Sequence, residues 1–124
     1  MVRAGATRTE RNYTGNANEL RAASWFARNG YNIYLPVGSP PSDFVAIRGD
    51  LTVRVQVKTM TWQPRESCYA MKVSWGKYAA EQPNVFACMG SAGEMWVVPA
   101  EALKVRRTLR LKIEGPFGAD WRVI

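Results

Sequence analysis

Two runs of alternating residues meet at Gly49-Asp50, and they constrain this chain more than any other feature. Residues 43–48 read Asp-Phe-Val-Ala-Ile-Arg, and residues 51–59 read Leu-Thr-Val-Arg-Val-Gln-Val-Lys-Thr. Both are rich in β-branched residues, and a two-residue Gly-Asp connection is a hairpin signal. If Arg48 pairs with Leu51, then Asp43 lies opposite Gln56 and Val45 opposite Arg54. Side chains alternate along a strand, so Asp43, Gln56 and Lys58 share one face. Phe44, Ala46, Val53, Val55 and Val57 fill the other, buried face. Directly opposed residues have Cβ atoms about 5 Å apart, close enough for two oxygen ligands to meet at one ion. A slip of one residue would separate the polar set, and an ordinary amphipathic hairpin with a wet polar face fits the same pattern.

The flanking segments read as one α/β sandwich-like domain. Residues 1–15 are polar and basic, without apolar periodicity, and read as a flexible arm ahead of a single domain over 16–124. A helical pattern follows from Asn16 to Asn29, with Asn16 or Asn18 as N-cap and Gly30 as the stop. Strands are expected at Tyr31–Val37, Tyr69–Val73 and Leu109–Ile113, with a hairpin of Val85–Met89 and Met95–Val98 around residues 90–93. Short helices are expected at Gly76–Gln82 and Ala100–Arg106.

On the first helix, at about 100° per residue, Glu19 falls in the middle of an apolar arc. Ala22 and Phe26 lie to one side of it, and Leu20, Ala23 and Ala27 to the other. A solvated glutamate has no reason to be there. The alternative is a glutamate of the helix's first turn, favoured by the dipole and pointing past the core.

Composition narrows the chemistry. The 124 residues include no histidine, which removes His nucleophiles, His general bases and ordinary His-ligated metal sites. Proton chemistry is left to carboxylates, lysine, tyrosine or metal-bound water. Two cysteines, Cys68 and Cys88, are too few for a disulfide scaffold or a CxxC clip. Seventeen Lys and Arg against ten Asp and Glu give a net charge of +7, suited to polyanions. Much of the excess is arginine at Arg3, Arg8, Arg11, Arg106, Arg107 and Arg110, alongside exposed-aromatic candidates Trp62 and Trp75 that could meet DNA or a second subunit. No apolar run is long enough to span a membrane and no secretory signal is visible, so a cytoplasmic setting, at the nucleoid or in a phage-infected bacterial cell, is expected.

The ordered set Asn18-Glu19-Leu20, Asn29-Gly30-Tyr31, Pro36-Val37-Gly38, Ser42-Asp43-Phe44-Val45 and Val55-Gln56-Val57-Lys58-Thr59 resembles the PD-(D/E)XK nuclease superfamily. It is most similar to endonucleases associated with group I introns, and more distantly to archaeal Holliday-junction resolvases. The likeness covers roughly residues 15–103, continuing through Tyr78, Phe86, Trp96 and Val98-Pro99. It implies a restriction endonuclease-like α/β core, a helix followed by a mixed β-sheet with a second short helix.

The resemblance also implies roles. Asp43 matches the metal-binding acid, Lys58 the catalytic lysine, Glu19 the helix glutamate, and the Val57 carbonyl a further metal ligand. Gln56 stands where most members carry Asp or Glu. Its amide oxygen can coordinate a hard cation, but it adds no charge and cannot act as a base. Ser42 replaces the proline of the motif. The implied activity is a Mg2+- or Mn2+-dependent endonuclease that hydrolyses DNA phosphodiester bonds, of homing, intron or phage type. The implied partners are DNA and a second copy of the chain, in a homodimer or higher homo-oligomer. Alternatives are a junction resolvase of the same fold and, from another class, a non-catalytic nucleic-acid-binding domain with a degenerate nuclease core, which neutral Gln56 keeps open.

Overall fold

The computed structural model describes residues 8–36, 42–72, 83–103, 108–111 and 121–124. Helix α1 spans Arg8–Arg28 and is followed by β1 (Asn32–Tyr34), β2 (Phe44–Arg48), β3 (Leu51–Thr59), β4 (Thr61–Gln63), β5 (Cys68–Lys72), β6 (Val85–Met89) and β7 (Met95–Pro99). A 3-10 turn (Ala100–Leu103) and β8 (Thr108–Leu111) complete the order.

The hairpin register is the expected one. Phe44 pairs with Val55, Val45 with Arg54 and Arg48 with Leu51. Gly49 supplies the positive φ, +59°, that the two-residue loop needs at its first position. Strand β3 then pairs in parallel with β6, and β6 antiparallel with β7, giving a mixed five-stranded sheet of order β1-β2-β3-β6-β7. A second antiparallel sheet, β4-β5-β8, begins two residues after β3 ends.

Two cores lie on opposite faces of the large sheet. On one, Ala22 and Phe26 of α1 pack with Phe44, Ala46, Val55, Ala87 and Met89. Phe26 meets Phe44 and Tyr31 edge-on, with ring centroids 5.7 and 5.3 Å away. Burying each such ring is worth about 1.5–3 kcal/mol. On the other face, Phe86, Cys88, Trp96 and Val98 pack against Tyr69, Met71, Leu109 and Leu111 of the small sheet. The large sheet is thus covered by a helix on one side and by a second sheet on the other.

Several expectations change. The helix begins at Arg8 rather than Asn16, so residues 8–15 belong to it and not to an arm; residues 1–7 lie outside the described residues. Glu10 in the first turn favours this early start electrostatically, and Gly15 costs only about 1 kcal/mol relative to alanine. Asn18 is therefore no cap. It sits mid-helix and is buried, while Leu20, assigned to the apolar arc, is 72% exposed. The helix does stop at Gly30, where φ is +89°, and the amides of Gly30 and Tyr31 bond back to the carbonyls of Ala27 and Phe26. That is a Schellman closure.

Among the described residues, the strand expected over 31–37 is β1 alone, and the described part of the helix expected over 100–106 is a 3-10 turn, Ala100–Leu103. Strand β4 escaped the sequence reading, since three residues carry too little periodicity to register. The helix expected at 76–82 lies outside the described residues, as do Trp75, Tyr78, Arg106 and Arg107.

Candidate active site

The site is built where the β2–β3 ladder ends. In a two-residue hairpin the bonded pairs recur at every second position, so after Phe44 and Val55 the Val57 amide would next donate to the carbonyl of residue 42. It donates instead to Asp43 Oδ2, at 2.8 Å, while the Asp43 amide donates to the Val55 carbonyl at 2.9 Å. The carboxylate replaces a backbone carbonyl, the chain bends at residues 42–43, and Asp43 is held between Val55 and Val57 across from Gln56. A strand residue turns its N–H and C=O toward the same neighbour, so the Val57 carbonyl also points to the Asp43 side.

Glu19 arrives from α1. Its carboxyl comes within interaction range of that of Asp43. Its pKa is held above the usual carboxylate value, first by partial burial, then by the negatively charged Asp43 carboxyl beside it. Burial and a neighbouring carboxyl both disfavour negative charge on Glu19, and a nearby cation would relieve either effect.

The helix is fixed in this position by a polar link the sequence reading missed. Asn18 Nδ2 donates to Thr59 Oγ1 at 2.9 Å, and Asn18 Oδ1 accepts from Arg21 Nη1 at 3.1 Å. The signal was available: Asn18 lies one turn before Ala22 on the face that α1 buries. Its neighbour Glu19 is thereby anchored to the strand that carries Gln56, Val57 and Lys58.

Gln56 and Lys58 project from the opposite face of β3 to Val55 and Val57, beside Phe86 and Cys88 of β6. Gln56 is buried. The Cys88 thiol is pushed up to about 12 by complete burial, an effect the positive charge of Lys58 partly offsets. It therefore stays protonated at neutral pH and is no nucleophile. The structure thus joins Glu19, Asp43 and the Val57 amide directly. It sets Gln56 and Lys58 on either side of Val57, on the other face of the strand.

One polar atom near the site has no partner. Ser42 is 6% exposed, and its Oγ makes no hydrogen bond. Leaving a buried hydroxyl unsatisfied costs about 1–3 kcal/mol. Among the described residues, no three His, Cys, Asp or Glu side chains gather. The oxygens brought together at the bend are those of the Glu19 and Asp43 carboxyls, with the Val57 carbonyl turned to the same side.

No family model and no curated protein matches the sequence. Solved structures do match. A bacterial homing endonuclease superposes with a TM-score of 0.74 at 15% identity, over 87% of this chain and 83% of that one. The Holliday junction resolvase Hjc of the archaeal hyperthermophile Archaeoglobus fulgidus superposes with a TM-score of 0.54 at 12% identity, over 80% of this chain and 84% of that one. This chain has the restriction endonuclease-like fold that both share.

Proposed function

We propose that the protein is a metal-dependent endonuclease that hydrolyses DNA phosphodiester bonds, with Glu19, Asp43, Gln56 and Lys58 as its site. The observation that carries this reading is the pairing of Glu19 with Asp43 at the end of the β2–β3 ladder. Two carboxyls from separate elements are brought together there, and burial together with Asp43 raises the pKa of Glu19. The fold neighbours, a homing endonuclease and a junction resolvase by their descriptions, support the same class.

The donor set fits a hard divalent cation such as Mg2+ or Mn2+. Glu19 and Asp43 supply charged oxygens, the Val57 carbonyl faces the same side, and the amide oxygen of Gln56 adds a neutral donor. When bound, such an ion neutralises charge on the scissile phosphate and makes a bound water acidic enough to attack. The ammonium of Lys58 stabilises negative charge as it builds on the phosphate oxygens and orients the attacking water. Gln56 takes no proton, so it orients and does not act as a base. The net charge of +7 draws the polyanion in. One chain offers one such site, so cutting both strands of a duplex calls for a homodimer or larger assembly.

The test is incubation of the purified protein with Mg2+ on duplex, branched and single-stranded DNA. Cleavage that needs the ion and disappears in Asp43→Ala and Lys58→Ala is expected. Preference for the branched substrate would assign the resolvase reading instead. Binding without cleavage on every substrate and with either ion would leave only a nucleic-acid-binding domain.

A further inference from the structure

The small sheet turns one face to the core and the other away from it. Tyr69, Met71, Leu109 and Leu111 belong to the core between the two sheets. Side chains alternate along a strand, so Ala70, Lys72, Thr108 and Arg110 take the outer face, with Thr61 and Gln63 of β4. These six residues line a trough of about 400 Å3 that crosses all three strands. Thr61, Ala70 and Arg110 form one row across it, and Lys72 with Thr108 the next. Lys72 and Arg110 are therefore diagonal neighbours, about 7–8 Å apart at the backbone, and both are exposed. Ala70, next to both, keeps the floor low.

The trough has one sign of charge. Among the described residues no acidic side chain lines it, although the chain has ten Asp and Glu. Two cations, two hydroxyls and an amide are spread across it instead of converging on one point. That distribution suits a line of phosphates better than a single small anion.

The trough also begins close to the candidate active site. Lys58 is level with Cys88, whose side chain is buried in the core between the sheets, so Lys58 lies on the side of the large sheet that the small sheet covers. Thr61 follows Lys58 by three residues, a span of at most about 11 Å. A DNA strand rises about 3.4 Å per nucleotide, so the near end of the trough is within about three nucleotides of the catalytic lysine.

We propose that the outer face of the β4-β5-β8 sheet is the track of the DNA backbone beside the cleavage site, with Lys72 and Arg110 as its phosphate contacts. The inference rests on the nuclease reading above and deepens it by saying where the strand runs on leaving the site. Contacts of this kind hold register and carry no base preference.

Fluorescence anisotropy of a labelled duplex, in EDTA so that no metal-dependent cutting occurs, gives affinity against salt. The proteins compared are wild type, Lys72→Gln, Arg110→Gln, the double variant, Lys72→Arg and Arg28→Gln. Arg28 is exposed in the last turn of α1, which packs on the opposite face of the large sheet, and its substitution removes the same charge as either trough substitution. Each trough substitution should lower the slope of log affinity against log salt by about 1, and the double variant by about 2, equally on unrelated sequences. Lys72→Arg and Arg28→Gln should keep the wild-type slope, and all should melt with wild type. With Mg2+, the double variant should cleave with a raised KM and a kcat close to wild type. A double-variant slope equal to that of wild type would overturn the inference, while cleavage by the wild type would keep the nuclease reading. So would a slope in Arg28→Gln as low as in the trough variants, since net charge alone would then explain it. A Lys72→Arg slope as low as that of Lys72→Gln would also overturn it. The expected slopes in a protein that cuts no DNA would support the track and remove the nuclease reading alone. No binding by the wild type would overturn both.

Discussion

Two glutamates of this molecule, one on α1 and one in the loop between β6 and β7, sit in environments that pull in opposite directions. Glu94, in the loop between β6 and β7, is buried, yet its pKa lies below the ordinary value. Burial pushes it up, but its own backbone amide, Tyr69, Ala92 and the charge of Arg122 together outweigh that. Tyr69 Oη donates to Glu94 Oε2 at 2.8 Å and the Ala92 amide to Oε1 at 2.9 Å. The knot is tight enough that a Cβ on Gly90 would stand 2.7 Å from Oε1. Glu19 is more exposed, yet its pKa is raised. The difference lies in the partners. Donors surround Glu94, whereas Glu19 faces another acid. Burial alone does not set the direction in which a carboxyl's pKa moves; the sign of its neighbours does.

The comparison breaks most visibly in activity. Lys58→Ala should lower the cleavage rate by about 10²–10³-fold, with the melting temperature little changed. Glu94→Gln should leave cleavage per folded molecule unaltered. If Glu94→Gln abolished cleavage in a protein still folded by circular dichroism, the division between the two regions would fail.

Stability should show the reverse. Glu94→Gln weakens two charge-assisted hydrogen bonds in a buried knot and should cost about 2 kcal/mol, read as a lower urea midpoint with unchanged slope. Glu19→Gln in EDTA should cost nothing, because it removes a repulsion.

Acid titration sharpens the contrast further. Glu94 has a depressed folded pKa, so its contribution is present above the unfolded value of 4.5 and is lost as pH falls through the folded one. Glu19 has a raised folded pKa, so the folded state binds more protons than the unfolded chain just above 4.5, and stability drops as pH rises through that window. Glu94→Gln should flatten the acid loss below 4.5. Glu19→Gln should remove the dip above it, both measured as melting temperature against pH without metal.

The smallest effect is expected from Gln56→Glu. A third carboxylate beside Asp43 should tighten ion binding, and a tenfold tighter site adds about 1.4 kcal/mol at saturating Mg2+. Equal Mg2+-induced melting shifts in wild type and Gln56→Glu would place Gln56 away from the ion.

Most of the hairpin was legible because its information is local. Period-two alternation and a Gly at the turn set strand identity, facing and register together, and the observed pairing of Phe44 with Val55 follows. The end of the helix at Gly30 was legible for the same reason. The helix start was not, because no cap or break marks Arg8. Residue types at Glu19, Asp43, Gln56 and Lys58 could be picked out in advance. The carboxylate substitution in the ladder could not, since Asp43 was expected simply to face Gln56 across a regular pair.

By itself the sequence determined an α/β chain with a particular hairpin register, a basic surface and chemistry without histidine, all properties of composition and short-range pattern. Only the tertiary structure decided that β3 pairs in parallel with β6, that α1 docks through Asn18 on Thr59, and that Glu19 meets Asp43. Those contacts join residues 24 to 41 positions apart or lie across a crossover between strands, where no periodicity reaches. They are set by which apolar faces can be buried together, and the carboxyl pair is carried into place by that packing.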